Sequence, residues 1–174
     1  MMYLRWIVAI LALGWLGQFP LAMLVPHLIM ERLYSKAGET MSYNTLHVRA
    51  KPDENFRTIV RPSPDLLYAL CIYDLDEGPI TIRAEVPERY WSMQFYQMDT
   101  SNFAGLTNQR EQRFRIGTQV NVTLVGPNSN VHSQAGEVIQ SPTSRGVMLL
   151  RVSAIGDDEN AAAALANSSC EVEV

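Results

Sequence analysis

The chain is poor in the residues that carry most metal and redox chemistry. Its 174 residues include 2 cysteines and 3 histidines. These form no CxxC pair and no Cys/His cluster, so the sequence offers neither a zinc site nor a dithiol site. A GxSxG elbow, a P-loop, HExxH and GxGxxG after a strand are absent as well, so elbow-type hydrolysis, phosphoryl transfer, zinc hydrolysis and dinucleotide binding lack their usual signatures. Positive charge is also scarce. A net charge of −4 gives no basic surface for nucleic acid. No repeat period or low-complexity linker divides the chain, and no cofactor is expected.

What is present begins with a long uncharged run. From Trp6 to Met30 the chain carries no formal charge. At about 1.5 Å rise per residue this run can cross a hydrocarbon core of about 30 Å. A cleaved signal peptide is the alternative, but its apolar region usually spans about 7–15 residues and ends at a small-x-small site. Residues 1–36 therefore read as one transmembrane anchor with its flanks. Pro20 and Pro26 each remove a backbone donor and predict a bend, with the last turns and His27 at the far interface. His27 is read as hydrogen-bonded at that boundary, with ligation of a pigment or metal as the alternative.

Charge alone does not orient the anchor, since Arg5 and the terminal amine oppose Glu31, Arg32 and Lys36. A short N-terminus before a large folded domain is the signal-anchor arrangement. It predicts a single pass with the N-terminus cytoplasmic and the domain exported, which in a bacterium means an inner-membrane protein with a periplasmic domain. Gly14 and Gly17 permit close helix approach and Gln18 adds a polar handle, so these three are the candidates for docking a neighbouring helix. Their spacing is not GxxxG.

The middle of the chain, residues 37–156, is long enough for one domain, and a period of two dominates it. Ile80, Ile82, Ala84 and Val86 alternate with polar residues, as do Trp91, Met93 and Phe95. Val120, Val122 and Leu124 share one face of a third run, and Met148, Leu150, Val152 and Ala154 share one face of a fourth. Turn chemistry at "DEGP", "VPER", "VGPNSN" and "QSPTSRG" separates the runs. Six or seven short strands so spaced predict an all-β, antiparallel sandwich of jelly-roll-like form, or a partial barrel, behind the anchor.

Cys71 sits in an apolar strand-like run and Cys170 near the C-terminus. The preferred reading is a buried free Cys71 and an exposed Cys170, with a bridge in an oxidising compartment as the alternative. Residues 157–174 read as an acidic tail. Asp157, Asp158, Glu159, Glu171 and Glu173 follow the last basic residue, Arg151, and without those five the net charge would be +1 rather than −4. A short helix over Glu159 to Leu165 is expected, with its acids at the favourable N-terminal end. The tail is read as solvated, with packing against a neighbouring subunit as the alternative.

The stretch "VRPSPDLLYALCIYDL", Val60 to Leu75, concentrates polar groups before a strand. Pro62 and Pro64 push Arg61 and Ser63 into extended geometry, predicting a straightened entry into a strand from Leu66 to Tyr73. Arg61 and Asp65 are read as a structural clamp, drawing on Arg89, Asp99 or Arg151. The catalytic alternative takes Asp65 and Asp99 as acid and base, with Arg61, Arg89, Tyr68 and Tyr96 nearby, in a hydrolase or lyase acting on a polar polymer. Tyr90, Trp91, Phe95 and Tyr96 are either two faces of strand packing or a sugar platform.

"VRPSPDLLY", "DLDEGPI", "VPERYWSMQFYQMDTSNFA", "VGP" and "SPT…LLRV", in that order, resemble the bacterial family filed as domain of unknown function 1254. Ser63 and Leu66 stand where its members usually carry asparagine and threonine. The resemblance implies a β-rich, jelly-roll-like domain and no established catalytic residue. Small membrane-anchored members often accompany a small protein of family 1214, and larger proteins fuse both domains. One anchor helix joined directly to a compact sandwich, with no recognisable catalytic constellation, gives the expectation of a non-enzymatic accessory subunit of an inner-membrane complex, whether respiratory, photosynthetic, transport or envelope. Its partners would be other transmembrane subunits, a family-1214 protein among them, and the lipid bilayer. Glycan binding or polymer cleavage is the alternative.

Overall fold

The structure, a computed structural model, describes residues 2–53, 62–108, 117–129 and 136–173. It opens with helix α1, Met2–Thr40, which continues through Pro20 and Pro26. Its length and apolarity suffice to cross a membrane, and its most apolar stretch is covered by no other part of the chain. The helix runs about ten residues beyond the uncharged segment. Met30, Tyr34 and Ala37 in those last turns are buried against Ile72 and Val147, with Leu33, Leu70, Met41 and Met98 packed around them. Their spacing of three and four residues puts them on one helical stripe.

Nine strands follow among the described residues: β1 (Leu46–Val48), β2 (Leu66–Asp74), β3 (Ile80–Glu85), β4 (Trp91–Gln97), β5 (Asn102–Thr107), β6 (Gln119–Val125), β7 (Glu137–Gln140), β8 (Arg145–Ser153) and β9 (Ser169–Val172). A second helix, α2 (Asp158–Ala166), precedes β9. One sheet has the order β1-β2-β8-β4-β5 and the other β7-β6-β3-β9. Their inner faces share one core, in which Trp91, Met93 and Phe95 of β4 and Met148 and Leu150 of β8 meet Ile80, Ile82, Val122 and Leu124 of the other sheet. The alternation seen in the sequence is thus the alternation between core face and outer face.

Three expectations need correction. The strands are not all antiparallel: β7 pairs in parallel with β6, Val122 beside Glu137, a pairing that a tight hairpin cannot make. The entry to β2 is not straightened. Ser63 to Leu66 forms a turn closed by the Leu66 N–H on the Ser63 carbonyl at 3.3 Å, with Pro64 at the second position, where its fixed φ favours turning. The expected acidic tail is part of the domain. Residues Ala161, Ala164 and Leu165 of α2 are buried in the core, and β9 pairs with β3 along Ile80 to Arg83. Its acids find bases in space that they lack in sequence, Asp158 with Lys51 at 2.6 Å and Glu171 with Arg83 at 3.7 Å.

The same pairing corrects the reading of the cysteines. Once β9 joins β3, Cys170 lies opposite Ile82 on the inner face, and it forms a disulfide with Cys71 of β2 across 99 residues of sequence. The bridge ties the two sheets together where β1 lies beside β9. The opposite rim of the double sheet is therefore formed by the edges β5 and β7.

Candidate functional site: the helix–sheet joint

The richest set of polar contacts among the described residues lies where α1 meets the outer face of the five-stranded sheet. The last residue of β2, Asp74, pairs in register with the first of β8, Arg145. Tyr34 reaches down from α1, and its hydroxyl donates to Asp74 Oδ2 at 2.7 Å. Arg145 Nε lies 3.4 Å from the same carboxylate oxygen, its Nη2 lies 3.7 Å from Asp76, and its guanidinium sits over the Tyr34 ring at 5.4 Å. The ring of Tyr43 stacks on Tyr34 at 4.7 Å.

Two local features let the chain make this joint. Tyr43 can fold back because Gly38 has no side chain; a Cβ there would collide with the Tyr43 hydroxyl. Asn44 adopts a left-handed φ of 54°, which asparagine tolerates better than most residues. From there its side chain clamps the Asp74 backbone twice, the amide donating to the carbonyl at 2.9 Å and the amide oxygen accepting from the N–H at 2.8 Å. The buried amide is thereby bonded through both its nitrogen and its oxygen.

Below the joint, Tyr73 is enclosed between the sheets with its hydroxyl 3.1 Å from Ser141 Oγ and donating to the Tyr96 carbonyl at 3.1 Å. Burial pushes its phenol up to about 12, against the hydrogen bonds from Ser141 and Thr143. A groove of about 610 Å³ opens beside the joint, bordered by Tyr43, Asp74, Asp76, Glu77 and Glu171. No group of three or more metal-ligating side chains occurs among the described residues. Asp74 is engaged by Tyr34 and Arg145, and Asp76 by Arg145, which fastens α1 to the sheet.

The candidates named from the sequence lie at both ends of the five-stranded sheet. Asp65, exposed, precedes β2 at the end remote from Asp74, and its carbonyl accepts from Ala154 at 2.8 Å. Asp99 lies in the β4–β5 turn at the Asp74 end, and the nine residues of β2 span about 30 Å. The two carboxylates therefore do not form a pair at glycosidase spacing. The N–H of Ser101, opposed by desolvation, holds the Asp99 carboxyl below the usual range, helped by Gln97. Arg151 lies on the outer face and donates from Nε to Ser92 at 3.1 Å. Arg89 is exposed and borders a different hollow from Asp65. Arg61 lies outside the described residues.

Strand length thus separates Asp99 from Asp65, Arg89 and Arg151, which lie at the other end of the sheet. Tyr68 accepts the Ser63 N–H at 2.9 Å. Trp91 and Phe95 are core residues while Tyr90 and Tyr96 are half-buried, the arrangement of strand packing and not of a flat platform. His27 Nδ1 is 3.0 Å from the Met23 carbonyl, within the helix. The spacing of Met30, Tyr34 and Ala37 is the sequence signal for the joint, masked because the stripe starts at the last residue of the uncharged run.

Residues 43–170 match the family described as Protein of unknown function (DUF1254), and the chain belongs to that family. The VPA0106 protein of Vibrio parahaemolyticus, known from its crystal structure, is similar in fold at a TM-score of 0.63 and 13% identity, over 84% of this chain and 35% of its own. An uncharacterised protein from Burkholderia cenocepacia aligns at a TM-score of 0.46 and 16% identity, over 71% of this chain and 35% of its own. The chain thus spans about a third of the length of these solved structures. No curated protein matches it.

Proposed function

We propose that this chain is a membrane-anchored, non-enzymatic accessory subunit of a bacterial inner-membrane complex, with a jelly-roll-like domain on the periplasmic side. The observation that carries this reading is the joint itself. The anchor runs without a linker into a stripe that is buried on the sheet, and the polar groups gathered there are consumed in holding it. Such a device fixes a domain's attitude to the membrane, which matters to a subunit that must meet a neighbour and matters little to a tethered free enzyme.

The Cys71–Cys170 disulfide supports export, because such bonds persist on the oxidising side of a membrane. Gly14 and Gly17 have open space where a Cβ would stand, which leaves that surface of α1 available to another helix, with Gln18 as a hydrogen-bonding partner. Respiratory, photosynthetic, transport and envelope complexes all suit this description, and a small family-1214 protein is the specific neighbour we propose.

The test is what co-purifies with the intact protein in mild detergent. A defined membrane complex, weakened by replacing Gly14 and Gly17 together with leucine, is expected. Recovery of a lone monomer from native membranes would contradict the reading.

A further inference from the structure

The direction in which α1 crosses the sheet says which edge of the domain meets the bilayer. Beyond the helix, the Asn44 N–H bonds the Ile72 carbonyl of β2 at 2.9 Å. Tyr34 bonds Asp74 of β2 and lies under Arg145 of β8. Met30 packs in the cluster that includes Met98, just past β4 and at the start of the turn that leads into β5. Going toward the N-terminus, the helix thus crosses β2, β8 and β4 in their spatial order, always near the same strand ends. It runs across the strands and not along them.

Strand spacing of about 4.8 Å and a helical rise of about 1.5 Å put roughly three helix residues against each strand. From Tyr34, at the level of β8, two further strands bring β5 level with His27. The uncharged run that reads as membrane-spanning ends at Met30. With α1 near the bilayer normal, as transmembrane helices are to within a tilt of about 20° on average, the strands lie roughly parallel to the membrane and β5 is the lowest of its sheet.

The composition of β5 fits that place. From Thr100 to Asn108 there is no charged residue and no proline. An uncharged edge strand is a liability in water, where edges are commonly protected by lysine, proline or a cover. The opposite rim carries charges: Arg49 just past β1, Glu171 in β9 and Glu173 just past it. Phe103, half-buried, packs its ring 6.0 Å from Phe95 and so ties this edge strand to the core. On the other sheet, β7 shares this rim, and its Val138 is 37% exposed.

We propose that the β5 edge is a lipid-contacting surface, seated in the headgroup layer beside the point where α1 enters the bilayer. This rests on α1 spanning the membrane and does not depend on a partner complex.

The test places a nitroxide on Gly105→Cys and, separately, on Ser101→Cys, in the full chain reconstituted alone in lipid nanodiscs, with Val48→Cys and Leu16→Cys as references. The native cysteines are bridged and buried. Both β5-side labels should be severalfold less accessible to a water-soluble nickel complex than the Val48 label, and less deeply placed than the Leu16 label. Both β5-side labels as aqueous as Val48, with Leu16 in hydrocarbon, would overturn the edge proposal alone. An aqueous Leu16 label would overturn the anchor as well. Shielding that appears only in a complex purified from native membranes would assign the edge to a protein and overturn the lipid proposal.

Discussion

The hydroxyl of Tyr34 in the anchor helix donates to the carboxylate of Asp74 at the end of β2, 2.7 Å away and 40 residues on in sequence. It converts a helix end that could swing on a tether into a part of the domain. The bond is to a charged acceptor in a half-buried setting, so it ranks among the stronger single hydrogen bonds. Tyr34→Phe should lower stability by about 1–2 kcal/mol in thermal unfolding of the intact protein in detergent. Tyr34→Ala, which also removes the stack on Tyr43 and the surface under Arg145, should cost about 3 kcal/mol.

The disulfide closes a loop that spans 99 residues of separation and fastens β9, the short edge strand of its sheet. Reduction, or Cys71→Ala with Cys170→Ala, should destabilise the domain by about 2–5 kcal/mol. Denaturation with and without reductant measures this. Unmodified protein taken from cells should show no free thiol.

Tyr73 makes stability depend on alkaline pH. Its phenol is pushed up to about 12 in the folded state, while an unfolded tyrosine ionises near 10. The contribution is complete below about pH 10, because both states are then neutral, and is lost as pH rises from about 10 to 12, where only the unfolded chain ionises. The loss approaches roughly 2–3 kcal/mol at the upper end of that window. Tyr73→Phe should flatten the profile of denaturation midpoint against pH there.

Gly146 allows the Tyr73 hydroxyl and the Tyr96 carbonyl to approach the β8 backbone; a Cβ would overlap both. Gly146→Ala should therefore destabilise by about 1–3 kcal/mol through overpacking. Gly14→Ala, where a Cβ meets nothing within 4 Å, should leave unfolding unchanged. The pair separates a packing glycine from one that faces outward.

How much of this was legible depended on the length and regularity of each element. Strands β2, β3, β4, β6 and β8 could be read because six to nine residues of alternation reveal a buried face. The sequences "LHV", "EVIQ" and "SCEV" of β1, β7 and β9 are too short to show a period, and "NFAGLT" of β5 mixes glycine and polar residues at an edge. Cys170 could not be placed without β9, so its bridge to Cys71 was hidden in what looked like an acidic tail. Asp65 and Asp99 drew attention by residue type, yet the working carboxylate is Asp74, whose partners Tyr34 and Arg145 come from distant elements.

The central claim is that the last turns of α1 belong to the domain, so that anchor and double sheet move as one body. Amide hydrogen exchange of the intact protein in lipid nanodiscs tests it without any substitution. Residues Glu31 to Ala37 lie beyond the uncharged run, and their helical amides are held by packing against Ile72 and Val147. They should exchange as slowly as the amides of β2 and β8, since segments of one cooperative unit open together. Rapid exchange of Glu31 to Ala37 beside a protected β2 and β8 would show a flexible linker and contradict the account.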